Sequence, residues 1–150
     1  MLVALSVTFL AALTFATPAS AGNGPPWGTI VNHTGRHLGG AHFGHGKSEC
    51  KIWNKYEDRR YAPTKMACDI DTIDPHTTTG TFDDMDGVTV RTSGYYYVRF
   101  YFVYSSTTSG STHMTSYHKA HENVWTKFPG NGTANCYSGT HAKCTITVVY

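Results

Sequence analysis

Charge is scarce in this 150-residue chain and nearly balanced, with 12 Lys and Arg against 10 Asp and Glu. That leaves it far short of the basic excess of a nucleic-acid-binding protein, so nucleic acid enters only as a substrate. No apolar run after residue 21 is long enough to span a bilayer, which argues against a transmembrane protein. Neither Cys-x-x-Cys nor another compact zinc-ligand spacing occurs, and there is no Gly-x-Ser-x-Gly elbow. Apolar residues nowhere recur over a long stretch at the helical period, which argues against a helical bundle. Neither an internal repeat nor a second domain is visible.

What is present begins with a segment for export. Met1 to Ala21 carries no charge, runs apolar through Leu2–Leu5 and Val7–Leu13, and ends Pro18-Ala19-Ser20-Ala21. This is the apolar region and small-residue cleavage site of a secretory signal peptide. The basic segment that ordinarily precedes such a run is missing, which a start upstream of Met1 would explain. Residues 1–21 are therefore expected to be the signal and residues 22–150 a single secreted, extracellular domain of ordinary size.

Four cysteines, Cys50, Cys68, Cys136 and Cys144, form an even set for an oxidising compartment. Of the three possible pairings, Cys50–Cys68 and Cys136–Cys144 join near neighbours, the second flanking the apparent hairpin Tyr137–Lys143.

The rest reads as strands and turns. Gly22–Pro26 is a leader that cannot be helical; Trp27–Asn32 reads as a strand closed by Thr34-Gly35, and Gly35–Gly46 has the composition of a loop. Cys50–Tyr56 and Met66–Ile73 are strand candidates on either side of a charged turn, Glu57–Arg60. Val88–Arg91 follows the turn signal Asp86-Gly87, and after Ser93-Gly94 comes Tyr95–Tyr104, an uninterrupted aromatic and β-branched run. Alternation places Tyr96, Val98, Phe100, Phe102 and Tyr104 on one face, expected in the core, and Tyr95, Tyr97, Arg99, Tyr101 and Val103 on the other. Thr112–Tyr117 and Cys144–Val149 complete the strands, with a turn at Pro129–Gly132, and His118–Trp125 is the one segment with the makings of a short helix. The expected fold is all-β: a small, disulfide-stabilised antiparallel β-sandwich or barrel with at most one short helix.

Four constellations bear on chemistry. His33, His37, His42 and His45 fall within thirteen residues among glycines, a set that suits zinc or copper if the rings converge. His113, His118 and His121 with Glu122 are a second such group. Asp69, Asp71, Asp74, Asp83, Asp84 and Asp86 resemble calcium ligands, but their order is not that of an EF-hand, and aspartate is common in turns because it bonds nearby backbone N–H groups. The histidines with Glu49, Glu122, tyrosines and arginines are the ingredients of a metal-independent ribonuclease, without a local signature to assign roles. Tyr95, Tyr97, Arg99 and Tyr101 form an aromatic face able to stack on sugars, meet a membrane interface or anchor a protein. Asn32-His33-Thr34 and Asn131-Gly132-Thr133 are glycosylation sequons.

These features point first to a secreted protein that acts by binding a cell surface, a membrane or a protein partner, in the manner of toxins and inhibitors, with no cofactor required. The alternatives are a small secreted hydrolase, above all a ribonuclease, and a protein that sequesters metal through the histidine- and glycine-rich segment.

Overall fold

A computed structural model describes residues 27–54, 60–80, 83–92, 94–105 and 110–150. The expected signal and leader, Lys55 and Tyr56, the Glu57–Arg59 part of the charged turn, and Ser93 lie outside the described residues.

The described residues form ten strands: β1 Thr29–His33, β2 Leu38–Asn54, β3 Arg60–Ile73, β4 Gly87–Val90, β5 Tyr95–Tyr104, β6 Ser111–Met114, β7 His118–His121, β8 Val124–Lys127, β9 Gly132–Tyr137 and β10 Lys143–Val149. Among the described residues there is no helix. The strands build a six-stranded sheet in the order β1-β9-β10-β5, with β6 and β7 both on the far edge of β5, and a four-stranded sheet in the order β3-β2-β4-β8. The arrangement is a disulfide-stabilised, sandwich-like all-β fold. Both sheets are mixed, since β1 runs parallel to β9, β10 to β5, and the end of β2 to β8.

Alternation along β5 sets the main core. Tyr96, Val98, Phe100 and Phe102 turn inward and join Ile146 and Val148 of β10, Ile30 of β1 and Ala134 of β9. Leu38, Ile73, Val88 and Val90 of the second sheet meet them, with Phe128 and Met85. Tyr104, expected on the core face, is 40% exposed because β5 runs past the end of that core.

One polar knot ties the two sheets. The fully buried Tyr96 hydroxyl lies 3.0 Å from the carbonyl oxygens of Val88 and Val124 and 2.7 Å from Thr126 Oγ1, which also accepts the Trp53 indole N–H at 2.8 Å. Burial pushes the Tyr96 phenol far above its ordinary range, outweighing the hydrogen bonds that act the other way.

Gly35–Gly46, expected as a loop, is mostly strand: β2 starts at Leu38. Its glycines answer to packing rather than to flexibility, since a Cβ on Gly39 would meet the Trp125 ring at 2.8 Å and one on Gly40 would meet Met85 Sδ at 2.7 Å. Only at Gly44 and Gly46, with φ of +98° and +106°, does the backbone need glycine's freedom, and there β2 bulges between Phe43 and Ser48. Beyond the bulge β2 leaves β4 and runs beside β8, so the sheet curls around a second core of Ala41, Phe43, Ile52, Trp125 and the Cys50–Cys68 disulfide. Cys136–Cys144 joins directly opposed residues of β9 and β10. Both bridges are those favoured by nearness in sequence.

His118–Trp125, the segment with the makings of a helix, is instead β7 and the start of β8, joined by a tight turn that carries the chain from one sheet to the other. Asn123 adopts φ of 55° at its turn, and β7 completes its backbone hydrogen bonding on the edge of β5.

Candidate functional site

Inter-strand register decides which side chains become neighbours on the outer face of the six-stranded sheet. Five residues fall in one cross-strand row: His33, Tyr137, Lys143, Tyr97 and Lys119, drawn from β1, β9, β10, β5 and β7 in turn. The next row is Val31, Asn135, Thr145 and Arg99; the third is Thr29, Thr133, Thr147, Tyr101 and Met114. Tyr95, opposite His121, closes the first end of the face.

Cations and rings interlock there. His33 stacks on Tyr137 at 4.6 Å. The Tyr95 ring has the His141 imidazole stacked at 3.7 Å and the Lys119 ammonium 3.7 Å from its centroid, two groups that fit only on opposite faces. Tyr97 sits edge-on to Tyr95 at 5.6 Å and to Tyr117 at 6.4 Å. The Arg99 guanidinium lies 4.7 Å from the Tyr117 centroid, with the Lys143 ammonium 5.7 Å from the same ring, and Arg99 Nε donates to Thr145 Oγ1 at 3.1 Å. Partial burial, and then the adjoining Tyr97 phenol, raises the pKa of Tyr95.

Charge is segregated around this face. Among the described residues, Arg99, Lys119 and Lys143 form no ion pair; the carboxylate partners of the pairs present are Asp74, Asp71 and Glu49. At the β7 rim Glu122 is engaged by the Gly94 N–H at 3.0 Å, and the segment that carries Asp74, Asp83 and Asp84 runs beside β1 at the opposite rim, away from the three cations. The other described carboxylates all lie between Glu49 and Asp86, in β2, in β3 or between β3 and β4.

No family model, curated protein or solved structure matches this chain. Its site therefore rests on its own geometry.

Of the face expected from the sequence, Tyr95, Tyr97, Arg99 and Tyr101 do lie together and half-buried on the outer side of β5. Lys119, Lys143, Tyr117, Tyr137 and His141 were not foreseen as members. No local pattern signals them, because β10 meets β5 across some forty residues of chain, and only the pairing puts Lys143 beside Tyr97.

The structure does not bring the four clustered histidines together. His33 belongs to the outer face, His37 Nδ1 lies 3.1 Å from Asp74, His42 Nε2 lies 3.3 Å from Asp71, and His45 is exposed on the β2 bulge. Among the described residues no group of three or more His, Cys, Asp or Glu is arranged to hold a metal ion. The second histidine group divides as well: the exposed His113 stacks on Phe102 and the half-buried His118 on Trp53, whereas His121 lies opposite Tyr95.

Asp71, Asp74 and Asp83 line an open cleft of about 350 Å³ with Thr77, Thr78 and Thr79. Several aspartates nearby serve the backbone: Asp83 accepts the Gly80 N–H at 2.7 Å, Asp84 that of Gly28 at 3.2 Å and Asp86 that of Phe43 at 2.9 Å. His37 and His42 flank this region but are five residues apart on extended chain, about 16 Å. An acid and a base at that separation do not reach one phosphodiester. Glu49 is paired with Lys65 on the β2–β3 arm, and Glu122 is at the far rim. His37, His42 and Glu49 are thus dispersed, whereas His33, His141, Tyr97 and Arg99 share the outer face, with His121 and Glu122 at its rim.

Proposed function

We propose that this is a secreted, non-catalytic binding protein that engages an anionic extracellular surface through the outer face of its six-stranded sheet. The observation that carries the reading is the set Arg99, Lys119 and Lys143: three cations without carboxylate partners among the described residues, each packed against tyrosine on a nearly carboxylate-free face. Like charges left unneutralised on a rigid sheet repel one another, and an anionic partner relieves that repulsion and steers its own approach. Tyrosines between them add contact area at little entropic cost. Two disulfides and the lack, among the described residues, of a helix long and apolar enough to cross a membrane are compatible with an extracellular protein. The apolar, uncharged segment 1–21 supports export.

Retention of the purified protein on isolated microbial cell envelopes tests this. The wild type is expected to bind at low salt and to be released as salt screens the contacts. The triple variant Arg99→Gln/Lys119→Gln/Lys143→Gln should lose retention, whereas Lys47→Gln/Lys51→Gln/Lys65→Gln, which removes the same charge from the β2–β3 arm, should keep it. Equal retention of the two variants, or none by the wild type, would overturn the assignment.

A further inference from the structure

We infer that the anion recognised by this face is the carboxylate of a uronate-bearing polysaccharide, with Arg99 as the residue that reads it. This rests on the binding function proposed above and names its ligand class.

Arg99 is prepared for a planar anion. Its Nε is committed to Thr145 Oγ1 at 3.1 Å and its plane lies over Tyr117, so the two terminal Nη groups form the end left for a ligand. A guanidinium end pairs two parallel N–H groups with the two oxygens of a carboxylate, which a lysine ammonium cannot do. Lys143 and Lys119 stand on the strands either side of Tyr97, two strand spacings or about 10 Å apart. That separation suits charges repeated along a chain better than one small anion.

The rings nearest Arg99 argue against single-stranded nucleic acid, leaving Tyr137, stacked on His33 alone, as the exposed open ring of the face. Such ligands stack bases on open aromatic faces. On Tyr95 both faces are occupied, by His141 and Lys119, and the Tyr117 ring already has Arg99 and Lys143 over it. Beside Arg99 there are instead neutral hydrogen-bonding groups in register, Asn135 with Thr145 and Thr133 with Thr147, whose amide and hydroxyls both donate and accept, as sugar hydroxyls require. A membrane surface is disfavoured too. Insertion needs a continuous protruding apolar surface, and on this face the valines are half-buried, Met114 at the edge is the exposed aliphatic side chain among the described residues, and Tyr117 and Tyr137 are exposed but interleaved with cations.

The test is calorimetric titration of the whole secreted domain with polygalacturonate, neutral dextran, polyuridylate RNA and phosphatidylglycerol vesicles at matched charge and salt. Polygalacturonate is expected to bind, dextran to be silent, and RNA and vesicles to bind at least about tenfold more weakly. Arg99→Lys keeps the charge and removes the fork, and should weaken polygalacturonate binding about tenfold. Lys119→Gln/Lys143→Gln provides the same loss should an Arg99 variant fold poorly. Unaltered binding by Arg99→Lys, or RNA or vesicles bound as tightly as polygalacturonate, would overturn the inference. Retention on envelopes through this face without polygalacturonate binding removes the ligand assignment alone; loss of face-dependent retention removes both.

Discussion

At the scale of the residue, the sharpest constraints are buried polar groups whose partners are all accounted for. Asn32 is 1% exposed: its Nδ2 donates to the carbonyls of Arg36, Ile73 and Asp74 at 2.8, 3.2 and 2.9 Å, while its Oδ1 accepts from the Thr34 N–H and hydroxyl. Asn32→Asp would turn an acceptor, and at neutral pH a charge, toward three carbonyl oxygens. A loss of about 3 kcal/mol or more is expected, read as a shifted midpoint in urea unfolding. The same burial separates the two sequons, for only Asn131 offers an exposed side chain to a glycan. Tyr96 makes a second case. Because burial raises its folded-state pKa, the folded protein holds the phenolic proton after the unfolded chain has released it. Its contribution is therefore complete below pH about 10 and is lost as pH rises beyond, by about 1.4 kcal/mol per unit. Tyr96→Phe should cost about 1 kcal/mol at neutral pH and flatten the alkaline decline by that slope; an unchanged slope in denaturation from pH 9 to 11 would remove Tyr96 as its source.

At the scale of the element, β5 and β2 mark the limits of reading strands from sequence. The faces of β5 were legible because aromatic and β-branched residues alternate without interruption, and its burial follows that alternation. The start of β2 was not legible, since glycine is the ordinary sign of a loop, whereas in β2 it makes room for Trp125 and Met85 arriving from distant segments. These two uses of glycine separate in experiment. At Gly46 an added Cβ would run into the Cys68 backbone, and φ is already +106°, so Gly46→Ala should destabilise by about 2 kcal/mol or more. Gly35 has open space around it, and Gly35→Ala should stay within about 0.5 kcal/mol of the wild type. Thermal unfolding of the two variants gives the comparison, and equal midpoints would mean that the bulge tolerates a side chain.

At the scale of the molecule, the candidate site was half legible for the same reason: alternation assigns a face, but only long-range pairing assigns neighbours, so Tyr97 and Arg99 were visible and Lys119 and Lys143 were not. Topology also divides the interior. The main core lies between the sheets and contains Cys136–Cys144, whereas the smaller one lies in the curl of β2, β3 and β8 and contains Cys50–Cys68. The two bridges close spans of 18 and 8 residues, a difference that chain entropy converts to only about 0.7 kcal/mol. Each should therefore add a similar global stability, about 2–4 kcal/mol, yet their removal should be felt in different places. Without Cys50–Cys68, the β3 side of the arm beyond the bulge is held by little more than its ladder to β2 and the small apolar cluster around Trp125, while the end of β2 stays tied to β8 through Trp53 and Asn54. Native-state hydrogen exchange of Cys50→Ala/Cys68→Ala should show arm amides opening well below the global unfolding free energy, while β5 and β10 remain protected to near that limit. In Cys136→Ala/Cys144→Ala the weakened hairpin is integral to the main core, so its amides should exchange together with those of β5. A uniform loss of protection in both variants would mean that the two cores unfold as one, despite the bend in β2 that separates them.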